Sequence, residues 1–185
     1  FEQVGFSAHD FIDFDTDGDL DIFISGVDNA TPSSNFVSEL WRNDGKGRWT
    51  LISTAIPKFG FGEVKAADFN KDNKPDLFVA GIREGNQRFM DIFYGDGKGN
   101  FTPRNFAFPY LQNPVADVSD FNGDGYQDIA IMGDTPENNP YTAIFQNVAG
   151  LAFTNIAAPI NNLNTGSLKW GDVDLDGDAD LAVTR

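Results

Sequence analysis

Four stretches of the chain set oxygen-bearing side chains at alternating positions, a spacing that can turn a short loop into a cage for a hard cation. They are Asp13-Phe-Asp-Thr-Asp-Gly-Asp-Leu-Asp21, Asp68-Phe-Asn-Lys-Asp-Asn-Lys-Pro-Asp76, Asp120-Phe-Asn-Gly-Asp-Gly-Tyr-Gln-Asp128 and Asp172-Val-Asp-Leu-Asp-Gly-Asp-Ala-Asp180. Numbered from the first Asp, positions 1, 3, 5 and 9 are the candidate side-chain ligands. These are Asp13, Asp15, Asp17 and Asp21; Asp68, Asn70, Asp72 and Asp76; Asp120, Asn122, Asp124 and Asp128; and Asp172, Asp174, Asp176 and Asp180. Position 7 varies as Asp19, Lys74, Tyr126 and Asp178, which suits a place where the backbone carbonyl is the ligand. Position 6 is Gly18, Asn73, Gly125 and Gly177, the residue types that best tolerate a left-handed backbone.

Calcium accepts about six to eight oxygens in flexible geometry, whereas magnesium demands a strict octahedron, so up to four Ca²⁺ ions are the expected ligands. With no cysteine and the single His9, the chain offers little to a transition metal. These are not EF-hands. Ile24, Val79, Ile131 and Val183 stand where an EF-hand needs its bidentate Glu, and a strand, not a helix, is expected next.

The loops recur about every fifty residues, and the similarity extends beyond them. Each runs into an alternating apolar stretch: 20–26, 75–81, 127–133 and 179–185, the first three ended by Gly. These read as strands. Further on, Leu40–Thr50 and Phe93–Thr102 carry Asp-Gly and Lys-Gly between aromatic flanks, a hairpin signal. The third copy, Phe145–Thr154, keeps the flanks without Asp-Gly. Trp49, Phe101 and Phe153 align between copies and are expected in the core. Each unit is thus four strands: A before the acidic loop, B after it, then a C–D hairpin. The expected fold is all-β, a β-propeller of four-stranded antiparallel blades. About three and a half repeats fill residues 1–185 as one region, an incomplete ring. Further blades would come from the same parent chain or from a second copy, and Leu181 and Val183 are expected on an exposed edge.

The loops and their phase resemble the FG-GAP or VCBS-like repeats of integrin-α-type propellers, in which a calcium loop joins strands A and B. That resemblance implies an extracellular module, secreted or at the cell surface, for adhesion or for recognition of a protein or glycan ligand. It leaves lectin-like carbohydrate binding, or the propeller domain of a polysaccharide-active enzyme, as alternatives. The D–A connections (53–61, 104–112, 155–165) and B–C connections (25–36, 81–88, 133–140) are long and varied, and recognition is expected there. No acid–base pair, Ser-His-Asp set or P-loop stands outside the acidic loops, so catalysis is not expected. The net charge of −15 repels a phosphate backbone and excludes nucleic acid as a natural partner. No apolar run approaches the ~18 residues of a membrane span. His9 is expected at the surface of the first A strand, and Asn29-Ala-Thr31 and Asn100-Phe-Thr102 are glycosylation sequons.

Overall fold

A computed structural model of the chain describes residues 4–28, 35–164 and 166–184. The first three units form four-stranded antiparallel sheets whose strands lie in sequence order. Blade one is β1 (Val4–Ile12), β2 (Asp21–Asp28), β3 (Asn35–Asn43) and β4 (Trp49–Ile52). Blade two is β5 (Gly60–Ala67), β6 (Asp76–Arg83), β7 (Gln87–Gly95) and β8 (Phe101–Pro103), with a 3-10 turn, Glu84–Asn86, between β6 and β7. Blade three is β9 (Gln112–Ser119), β10 (Asp128–Asp134), β11 (Pro140–Val148) and β12 (Ala152–Asn155). The fourth unit consists of β13 (Ser167–Gly171) and β14 (Asp180–Thr184), a two-stranded sheet.

The blades stack face to face, and the B strands of blades two and three are apolar on both faces because each face meets a different neighbour. In β6, Leu77 and Val79 pack toward blade one with Phe14, Phe23, Leu40 and Phe59, while Phe78 and Ala80 pack toward blade three with Phe108, Ile129 and Ile131. A strand buried on both faces reads as a continuous apolar run, and β6 is buried from Asp76 to Gly81. Leu181 and Val183 are half-buried against the face of blade three that carries Ala130, Met132 and Ile144, so the expectation that they lie exposed is corrected.

Side-chain clasps join the inner strands of successive blades. Ala66 N–H donates to Asp10 Oδ2 (2.8 Å), and Trp170 N–H donates to Asp117 Oδ2 (2.9 Å). Lys169 Nζ adds an ion pair to Asp117 Oδ1 at 2.9 Å. Of the aligned aromatics, Phe101 is buried, Phe153 packs against the core between blades two and three, and Trp49 is half-buried. His9 is exposed on β1. Asn100 is exposed and its Nδ2 donates to Asp96 Oδ2, whereas the sequon at 29–31 lies outside the described residues.

The B strands do not end at their glycines. They run on through Gly26, Gly81 and Gly133, and the B–C connection of blade two shrinks to the three-residue turn. Each glycine faces a bulge in strand A, where Phe6 (φ 46°), Phe61 (φ 52°) and Asn113 (φ 46°) take left-handed backbone. A Cβ on Gly81 would lie 2.8 Å from Gly60 O and from Phe59 Cδ2, and one on Gly133 would lie 2.7 Å from Gln112 O. The glycines therefore mark close backbone approach rather than strand ends.

Gly81→Ala should lower stability by about 1–3 kcal/mol through this crowding. Gly171→Ala, where nothing lies within 4 Å of the added carbon, should leave it within about 0.5 kcal/mol. Denaturant unfolding of both variants checks the contrast.

Candidate metal centres

All four acidic loops close the turn between strands A and B with the same hydrogen bonds. The first carboxylate gathers two backbone donors. Asp13, Asp68, Asp120 and Asp172 accept through Oδ1 from the N–H of position 5 (3.1, 3.2, 3.0 and 3.1 Å). Through Oδ2 they accept from position 6 (3.1, 2.9, 2.6 and 3.1 Å). At position 5, Asp17, Asp72, Asp124 and Asp176 accept the N–H of position 7 through Oδ1 (2.9, 3.0, 2.8 and 2.9 Å). Asp19, Lys74, Tyr126 and Asp178 at position 7 are thus fixed through their backbone, which leaves their side chains free to vary. At position 3, Asn70, Asn122 and Asp174 accept the N–H of position 5 through Oδ1.

The ninth position has a second task that its spacing did not disclose. Asp21, Asp76 and Asp128 are fully buried. Their Oδ2 accepts from the N–H of position 2 (Phe14 3.1, Phe69 2.9, Phe121 3.2 Å). Their Oδ1 accepts from strand C (Asn43 2.8, Gly95 2.9, Asn147 2.7 Å). Asp180 keeps the first bond, from Val173 N–H at 3.1 Å, and is only half-buried. Position 2 anchors the loop: Phe14 and Phe69 are core residues, and Phe121 stacks on Trp170. The repeated Phe was the available signal for that role.

Position 6 has positive φ as expected, at 93°, 62°, 83° and 97° for Gly18, Asn73, Gly125 and Gly177. Position 4 does too, at 58°, 60°, 71° and 63° for Thr16, Lys71, Gly123 and Leu175. For β-branched Thr16 this is a strained conformation, held by the hydrogen bonds on either side of it. Only Gly123 in loop three announces it; Thr16, Lys71 and Leu175 do not.

Two loops bring three carboxylates together. One oxygen from each of Asp13, Asp15 and Asp21 lies within 4.8 Å of the others, and the same holds for Asp172, Asp174 and Asp176. Such clusters could bind a metal ion. The first fits a divalent cation on an independent ground: Asp15 Oδ1 is buried and has no hydrogen-bond partner. Arg42 approaches Asp15 only at 4.0 Å, through the other oxygen. Burial, then the neighbouring Asp17, pushes the Asp15 carboxyl up from its ordinary value. Loops two and three substitute Asn70 and Asn122 and set a cation nearby. Lys74 Nζ lies 3.7 Å from Asp72 Oδ2. Lys71 Nζ reaches across to donate to Asp124 O at 2.7 Å and sits over the Tyr126 ring. Loops two and three are also wired through buried Asn147, whose Nδ2 donates to Phe69 O (2.8 Å) and Gln127 O (3.1 Å).

Over this ground the family model described as FG-GAP-like repeat matches three times, at residues 13–79, 68–131 and 120–183. The chain belongs to the FG-GAP-like repeat family. Each match begins on an acidic loop and runs through the next one into its B strand, so the FG-GAP-like unit takes in the junction between neighbouring blades. No curated protein matches the chain.

Burial, opposed by backbone donors and reinforced by the other loop aspartates, pushes Asp76 up to about 7 and Asp21 and Asp128 to about 6. In the metal-free FG-GAP-like chain these groups hold protons in the folded state that the unfolded state has released. Folding is therefore favoured below pH ~4 and loses that contribution as pH rises through 6 to 7. The melting temperature of metal-free protein should fall between pH 4.5 and 7.5. A rise across that interval would contradict the assignment.

Proposed function

We propose that the chain is a calcium-stabilised recognition module, with Ca²⁺ in the A–B loops and ligand binding on the opposite end of the blades. The observation that carries this reading is the Asp13, Asp15 and Asp21 cluster with the unsatisfied, buried Asp15 oxygen. Like charges at that separation repel, and a divalent ion turns the repulsion into attraction. Four such ions would roughly halve the net charge of −15.

Antiparallel order sends the A–B and C–D turns to one end of each blade and the B–C and D–A connections to the other. The end with the acidic loops repeats its geometry from unit to unit. The other end varies, and variable connections on a rigid scaffold suit recognition. This division supports reading the chain as a module for adhesion or for binding a protein or glycan, and its FG-GAP-like repeats support placing that role outside the cell. Millimolar calcium there would keep even modest sites filled. No helix among the described residues is long and apolar enough to cross a membrane.

Calcium that binds only the folded state stabilises it by about 2.7 kcal/mol per site at a hundredfold excess over Kd. EGTA should therefore lower the melting temperature by at least several degrees. An unchanged curve after verified metal removal would refute the calcium reading. Loop one should outrank loops two and three, because it has one more carboxylate at the ligand positions. Terbium luminescence should show Asp15→Asn removing a tight site, while Asn122→Ala affects only weaker ones.

A further inference from the structure

Blade two carries, on the end away from its acidic loop, a cavity of about 310 Å³. The linker from blade one walls it with Pro57, β6 and β7 give Arg83 and Phe89, and the linker to blade three gives Phe106 and Tyr110. Tyr110, 57% exposed, stands at the rim of the cavity.

Arg83 is the unsatisfied group. Its Nε is buried and has no acceptor, and its guanidinium rests over the Phe89 ring at 5.7 Å from the centroid. In a chain with 28 acidic residues, no carboxylate among the described residues lies within 4.0 Å of Arg83. Asp91 also lines the cavity, but its oxygens already accept the N–H groups of Ile92 (2.8 Å), Asn105 (2.8 Å) and Phe106 (3.2 Å). It straps the linker to the blade and leaves the guanidinium unanswered.

Nor is the arginine part of the repeat. The matching strand ends carry Asp28 in blade one and Asp134-Thr135 in blade three. Phe89, which pairs with Gly81, is matched by Val37 opposite Gly26 and Tyr141 opposite Gly133. Blade two departs from both neighbours at the arginine, while its ring at Phe89 has an aromatic counterpart in Tyr141 of blade three.

We propose that this cavity binds a six-membered ring bearing a carboxylate, with the guanidinium of Arg83 receiving the carboxylate and Phe89, Phe106 and Tyr110 flanking the ring. A planar guanidinium matches a carboxylate with two parallel hydrogen bonds, which a neutral hydroxyl cannot reproduce. The volume is that of a small-ligand pocket and suits one ring. Such a ring could be a uronic-acid sugar or an aromatic acid. The inference names a ligand class for the recognition end proposed above and rests on that reading.

The test is calorimetric titration of the full chain in saturating calcium with glucuronate, benzoate and the neutral methyl glucoside. At least one acid should bind and the neutral sugar should not; which acid binds identifies the source. Arg83→Gln should weaken binding tenfold or more and Tyr110→Ala several-fold, while Arg48→Gln, at the opposite end, changes nothing. Tyr110→Ala alters an exposed side chain and keeps the test usable should Arg83→Gln fold poorly. Binding of neither acid, equal binding of the neutral sugar, or loss from neither cavity variant would overturn the proposal. The calcium reading is judged by melting and by terbium luminescence, so either can fail without the other.

Discussion

Everything in a blade hangs from one buried carboxylate. The aspartate that ends each acidic loop ties the start of the loop to the top of strand C, with one oxygen for each. A carboxylate taken out of water is costly unless its lone pairs are met, and here backbone donors meet them in the same way in three successive blades. The bond to position 2 fixes where the loop leaves strand A, so the Phe beside it drops into the core between blades. The bond to strand C fixes where the C–D hairpin begins. In loops one and four three carboxylates are left close together, which is the physical reason that a cation suits those two sites.

The same arrangement explains why the two ends of the blade differ in tolerance to change. At the loop end the carboxylates at positions 1, 5 and 9 accept backbone N–H groups, so a substitution at any of them loosens the turn itself. At the other end the chain needs only to connect strands. The bulge in strand A with its facing glycine is the last fixed feature before that freedom begins. Two residues past the glycines lie Asp28, Arg83 and Thr135, one blade apart and chemically unlike.

The repeat, the four-stranded unit and the loop ligands were legible because periodicity of side-chain type survives without knowledge of packing. Position 6 was legible because Gly and Asn report a left-handed backbone directly. Position 4 was not, since Thr16, Lys71 and Leu175 are forced there by hydrogen bonds on either side. The strand glycines misled for a similar reason. A Gly after apolar alternation looks like a stop, but Gly26, Gly81 and Gly133 answer a neighbour's carbonyl that the sequence does not show. The paired duty of Asp21, Asp76 and Asp128 was hidden too, because one of the two partners is a strand-C backbone group that any residue supplies.

The clasps between inner strands bear on how the molecule is made. Within a blade the defining hydrogen bonds join residues 7, 19 or 22 apart, and the clasps between blades join residues 52 to 56 apart. No bond of this set reaches past the adjacent unit. A chain wired to its nearest neighbours need not wait for its far end before ordering its beginning, and loop-closure entropy stays small at each step. Folding can then advance blade by blade, each finished face serving as the template on which the next linker and inner strand settle.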